Sequence, residues 1–160
     1  MTNEQWNQLL EIINGRVPGR PATGFIIDSP WIPGWAGITS LQYYSSEELW
    51  FRANKKVIET FPGIIFLPGF WPEFGMCTET SAFGAKLVWS ENSLPHAGKI
   101  IDDLSEVKNL KVPNPKKEGL LPFVVQRLIN YQDHINSMGH NVKFAISRGP
   151  LNIASFLLRS

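Results

Sequence analysis

The sequence predicts an α/β fold built on a parallel sheet, and three observations carry that expectation. Ile64–Leu67 is a short apolar run between Pro62-Gly63 and Pro68-Gly69, the pattern of a strand buried on both faces. Comparable runs stand at Phe25-Ile26-Ile27 and at Val142 to Ser147, each spilling into a Gly/Pro loop that carries a charged or aromatic residue. Stretches of helical spacing lie between and after them. The order strand, helix, strand, helix, strand, helix argues for parallel strands joined by right-handed crossovers. In such folds, sites form where buried strands end and their loops begin.

Along the chain, Asn3 to Asn14 reads as a short amphipathic helix with Trp6, Leu9, Leu10 and Ile13 on one face and Gly15 as its stop. Arg16 to Thr23 is a Pro/Gly-rich connector, and Gly24 to Asp28 is the first strand. A long loop, Ser29 to Tyr44, carries Trp31, Trp35, Tyr43 and Tyr44. Ser45-Ser46-Glu47-Glu48 is a capping-box pattern, and Leu49, Trp50, Ala53, Val57 and Phe61 keep helical spacing as far as Pro62. Residues 69 to 100 have no clear period, and Thr78 to Val88 fits either a helix or a hairpin. Ile101 to Leu110 reads as a short helix begun by Asp102, and Val112-Pro113-Asn114-Pro115 as an extended linker. The strongest helical pattern runs from Leu121 to Met138, with Pro122 in its first turn and Gly139 after its end. Val142 to Ser147 is the third strand, and Pro150 opens a last helix from Leu151 to Arg159. The chain stops inside that apolar helix, and the expectation is a single domain, residues 1–160, belonging to a larger barrel.

The 160 residues are 43% hydrophobic, enough for one substantial core. A net charge of +1 gives no reason to expect a nucleic acid or an acidic membrane surface. No apolar run approaches the roughly 18 residues of a membrane span, and Met1-Thr2-Asn3-Glu4 lacks the character of a signal peptide. The single cysteine, Cys77, excludes an internal disulfide, so a cytoplasmic location is the expectation. The absence of paired Cys/His spacing predicts no metal, and neither a Walker loop nor a dinucleotide fingerprint is present.

The order of segments around Ile64-Ile65-Phe66, the patch Glu79-Thr80-Ser81-Ala82-Phe83-Gly84-Ala85-Lys86, and the run Arg148-Gly149-Pro150-Leu151-Asn152-Ile153-Ala154-Ser155-Phe156-Leu157 together resemble the uroporphyrinogen decarboxylase family. That superfamily also holds cobalamin-dependent methyltransferases. The resemblance implies part of a (β/α)₈ barrel with its substrate site at the C-terminal strand ends. Such a barrel needs roughly 250 residues, so this chain supplies about the first three βα units. Decarboxylases of the family carry an Arg-Gln-Ala-Gly-Arg motif after the first strand and an aspartate after the second. Here those places read Ile27-Asp28-Ser29-Pro30-Trp31 and Leu67-Pro68-Gly69. The methyltransferase branch is the closer match, because its members lack both motifs and keep an acidic, small-residue segment like Glu79 to Gly84. Their zinc ligands lie in the second half of the barrel. The resemblance therefore implies methyl transfer involving a corrinoid, which would be a substrate or a partner's cofactor and is not bound by this chain alone. A divergent decarboxylase of tetrapyrrole biosynthesis is one alternative, with Arg16, Arg20 and Arg148 as its carboxylate-binding candidates. A non-catalytic fragment acting only with a chain that supplies the rest of the barrel is the other.

The candidate catalytic residues are Asp28 and Arg148, each at a strand end. Arg148 would clamp a carboxylate or phosphate, or else pair with a neighbouring acid at the rim. Asp28 would act as acid/base or hold a substrate amine, or else cap the turn that follows it. Trp31, Trp71 and Glu79 are the candidate substrate-binding residues. With Trp35 and Phe70, the two tryptophans would wall a pocket for a corrinoid or tetrapyrrole, or pack the loops onto one another. Glu73 and Glu79 would orient a metal or a proton, or be solvated loop acids. His134 reads as a surface histidine on the polar side of its helix, and Cys77 as a small buried apolar residue.

Overall fold

The computed structural model describes residues 1–17 and 19–159; Pro18, in the predicted connector, and Ser160 lie outside the description. Helix α1 (Asn3–Ile13) opens with a reciprocal capping box between Thr2 and Gln5, whose amide also reaches the Ile64 carbonyl at 3.3 Å. Strand β1 (Thr23–Ile26) pairs in parallel with β2 (Ile64–Leu67), Thr23 opposite Ile64 and Ile26 opposite Leu67. The connection between them is helical: α2 (Trp31–Ala36), α3 (Ser40–Ser45) and α4 (Glu47–Thr60). Parallel pairing requires such a crossover and puts the C-terminal ends of both strands at one edge.

The interval from Ser29 to Tyr44, expected as loop, thus holds α2 and α3. Thr39 and Gln42 form a capping box that starts α3. The capping signal read at Ser45-Ser46 belongs to α4, where the Ser46 hydroxyl accepts from the Leu49 amide. After β2, a 3₁₀ turn (Gly75–Cys77) leads into the single-turn helix α5 (Thr78–Ser81) and a hairpin of β3 (Leu87–Val88) and β4 (His96–Ala97). The open choice over Thr78 to Val88 resolves into both, a helical turn followed by a strand. The helix expected from Asp102 is a 3₁₀ segment (Leu104–Asn109) capped by Asp103. Helices α6 (Leu121–Ser137) and α7 (Pro150–Leu157) lie within two residues of their expected bounds.

The main core is one cluster in which Ile32, Tyr43, Tyr44, Trp50, Val57, Phe66, Phe70, Phe74 and Ile135 are buried, with Val124, Leu128 and Tyr131 of α6 packed against them. The apolar faces of α4 and α6 therefore close over β2, as their spacing requires. A smaller cluster, Ala85, Ile101 and Leu157, seats α7 through a parallel bridge between Ile101 and Leu158.

Two expectations about the sheet are corrected. Residues 142–147 form no strand: Asn141 exchanges its backbone bonds with Met1, at 2.9 and 3.0 Å, and Lys143 bonds Asn3 at 2.8 Å. The N-terminal residue thus occupies the start of the segment, and no strand runs alongside it. Strand β1 is not buried. Phe25 is 50% and Ile26 65% exposed, because β1 meets a neighbour along one edge only. Among the described residues the parallel sheet has two strands and no barrel closes.

Candidate functional site

At the shared C-terminal edge of β1 and β2, four charged side chains converge. Asp28 lies two positions past β1, Glu73 is in the loop after β2, Glu79 is on α5, and Arg148 follows the 142–147 segment. Arg148 donates from its guanidinium to Glu73 Oε1 at 2.7 Å, and its backbone amide donates to Glu79 Oε1, also at 2.7 Å. Two carboxylates thus hold one residue, by side chain and by backbone. These are short charge-assisted bonds, and they fix the end of a segment that lacks a strand ladder.

Asp28 faces the same ion pair. Burial pushes its carboxyl up to about 7; the Ser29 amide pulls the other way, Glu73 raises it again and Arg148 opposes. Glu73 is raised as well, chiefly by burial, against the pull of Arg148 and of the Trp71 indole. The two carboxyl groups are therefore coupled, each raising the other's proton affinity, since like charges at close range resist joint ionisation. Tyr44, only 3% exposed, faces Asp28 and Glu73, and burial followed by the charge of Asp28 raises its phenol well above the ordinary range. Among the described residues, Asp28 Oδ1, Glu79 Oε2 and Arg148 Nε are buried without a hydrogen-bond partner, and the hydroxyls of Ser29 and Tyr44, also buried, lie against one another.

The predicted residues divide. Asp28, Glu79 and Arg148 come together with Glu73, and Trp71 sits beside Glu73 with its carbonyl accepting from the Trp50 indole at 2.6 Å. Trp31 does not join them. It stacks on Trp35 at 5.8 Å and lines an apolar hollow of about 330 Å³ with Phe25, Ile27, Phe61, Ile64 and Phe66. Phe70 is buried against Trp50 and Phe51. The aromatic wall expected for a flat ligand is therefore not formed, because these rings fill the core or cover a different face. Arg16 and Arg20 also stand apart: the Arg16 amide bonds Glu11, and Arg20 lines a cleft along α1 with Glu4 and Glu11. Cys77 is buried, donates to the Phe74 carbonyl at 3.2 Å, and its thiol is pushed up to about 11 by burial. That environment makes it inert. His134 is exposed, with its ring against Phe51 and Tyr131.

Arg127 was not singled out from the sequence. It is 1% exposed, donates to the carbonyls of Tyr44 at 2.8 Å and Pro72 at 3.3 Å, and lies over the Phe74 ring at 4.1 Å. The signal was a charged residue inside the apolar stripe of α6, between Val124 and Tyr131. It ties the last turn of α3 to the loop that carries Glu73.

No protein-family model, no curated protein and no solved structure matches the chain. No grouping of His, Cys, Asp or Glu among the described residues is arranged to hold a metal ion, and no helix among them is long and apolar enough to cross a membrane.

Proposed function

We propose that the chain is part of a uroporphyrinogen-decarboxylase-like (β/α)₈ barrel and that its rim cluster serves methyl transfer involving a corrinoid rather than decarboxylation. The observation that carries this reading is the composition of the cluster: three carboxyl groups around one guanidinium that is already paired with Glu73. A porphyrinogen substrate carries several carboxylates, and a cluster rich in acids repels it. Of the other cations a decarboxylase would call on, Arg20 lines a cleft along α1 and Arg16 is exposed just after the end of α1. Asp28, holding its proton up to about pH 7, suits the opposite need. When a methyl group leaves a heteroatom, the bonding pair stays behind, and a neighbouring carboxylic acid can neutralise it. Asp28 is the proton donor in this reading, Glu73 sets its proton affinity, and Arg148 and Glu79 position the loop. The corrinoid is a substrate that brings or takes the methyl group.

A second reading is favoured by β1, whose exposed Phe25 and Ile26 and outer edge, unpaired among the described residues, suit association with a chain supplying further strands. Tryptophan fluorescence of the purified chain, titrated with hydroxocobalamin and with uroporphyrin, separates the readings. Saturable quenching by the corrinoid alone is the expected result. Quenching by the porphyrin alone supports a divergent decarboxylase, and no saturable quenching by either supports a chain that is inert without its partner.

A further inference from the structure

We propose that the cavity between α3, the start of α6 and the β3–β4 hairpin binds a small aromatic carboxylate. Its volume is about 390 Å³, within the range of small-molecule sites. Leu41, Trp89, Leu120 and Phe123 wall it, and Glu47 and Arg127 are its charged residues. Leu41, Trp89 and Phe123 are exposed large apolar side chains, so the hollow opens to solvent. Such walls hold a ring of matching size by burial and by aromatic contact. The inference goes beyond the corrinoid reading: none of Asp28, Glu73, Glu79 and Arg148 lines this cavity, and it is too small for a macrocycle.

The charge of the ligand follows from Arg127. Buried cations ordinarily have a carboxylate beside them. Arg127 is 1% exposed and makes no ion pair among the described residues. Its guanidinium donates to the carbonyls of Tyr44 and Pro72, and its Nε is buried without a partner. A guanidinium carries more N–H donors than these two carbonyls use. The Phe74 and Trp50 rings lie against it at 4.1 and 5.2 Å but bring no full negative charge. The acid that faces Arg127 is Glu47, whose carboxylate accepts from the Asn130 amide at 2.9 Å. A ligand carboxylate supplies the missing charge and further acceptors together. A cation would meet the uncompensated guanidinium, and a bare phosphate would leave the apolar walls unfilled.

The test is an NMR titration of the full 160-residue chain with sodium benzoate, with benzyl alcohol and benzylammonium chloride as neutral and cationic probes of similar shape. Benzoate is expected to shift the Trp89 indole and Arg127 Nε–H resonances saturably. It should bind roughly tenfold or more tightly than the alcohol, the worth of a charge-assisted bond. Glu47→Gln removes a like charge from the cavity and should tighten benzoate binding by roughly threefold. Phe123 is 57% exposed, so Phe123→Asp spares the core while placing an acid at the cavity, and it should weaken binding by roughly threefold or more. Should Phe123→Asp lose its dispersed spectrum, Glu47→Gln and the ranking of the three probes decide the matter. Benzoate and the alcohol binding alike, the ammonium binding most tightly, shifts confined to residues outside the cavity, or no saturable shift with any probe would overturn the proposal.

Discussion

At the scale of single residues, Asp28 links folding to chemistry. Its folded proton affinity lies near 7 against an ordinary value of 3.8, so between those limits the folded chain binds a proton that the unfolded chain has released. Stability from this group is complete below about pH 4 and is lost as pH rises through 7. Glu73 shifts in the same direction. The Met1 amine, lowered to about 6 by burial and then by Lys143, works oppositely: it loses stability as pH falls from 8 through 6. Between about pH 4 and about pH 6 the amine no longer titrates, and His140, lowered by burial and then by the N-terminal amine, adds an opposing slope common to wild type and variant. Thermal unfolding there should show a more negative dependence of stability on rising pH in the wild type than in Asp28→Asn, because the variant lacks the Asp28 contribution. Equal slopes would mean that Asp28 is not buried beside Glu73. Such coupling was invisible in the sequence, where Asp28 and Glu73 are 45 positions apart. Each could be named as a candidate, but nothing in the spacing shows that two loops fold onto one another.

Among the elements, α4 and α6 were legible because their apolar periods are long and their caps sit where the physics requires. Ser46 begins one, and Gly139, at φ 72°, follows the other. The failures have physical causes too. Val142 to Ser147 has strand composition, but a strand needs a neighbour, and Met1 takes the backbone groups at its start. The stretch from 69 to 100 shows no period because its elements are a turn of helix and two-residue strands, too short to repeat. Gly119 is a similar local necessity: at φ 59°, a Cβ there would stand 2.4 Å from the Ala82 nitrogen. Arg127 joins three elements, and its guanidinium satisfies the Tyr44 carbonyl at the end of α3 and the Pro72 carbonyl before Glu73. Arg127→Ala should cost about 3 kcal/mol or more, since two buried carbonyls lose a charged donor and Phe74 loses a packed surface. Denaturant unfolding measures this, and a loss below about 1 kcal/mol would show that Arg127 does not clamp the loop.

For the molecule as a whole, the α/β class and the parallel pairing followed from the order of segments, while barrel closure did not appear among the described residues. Parallel pairing has one consequence for function: it brings the loops after β1 and β2 to the same edge, and the chain returns there again through Arg148. Three strand-end loops were expected to gather a site, and three carboxyl groups with one guanidinium do gather, although the third loop arrives without a strand. The aromatic wall did not assemble, because Phe70 fills the core and Trp31 stacks on Trp35 over a different hollow. The most direct test of the assembled cluster is a carboxyl carbon-13 NMR titration of the folded chain. Asp28 should titrate near pH 7, coupled to Glu73, and Arg148→Met should push both higher because the opposing guanidinium is gone. An Asp28 carboxyl that titrates near 4, indifferent to Arg148, would contradict it.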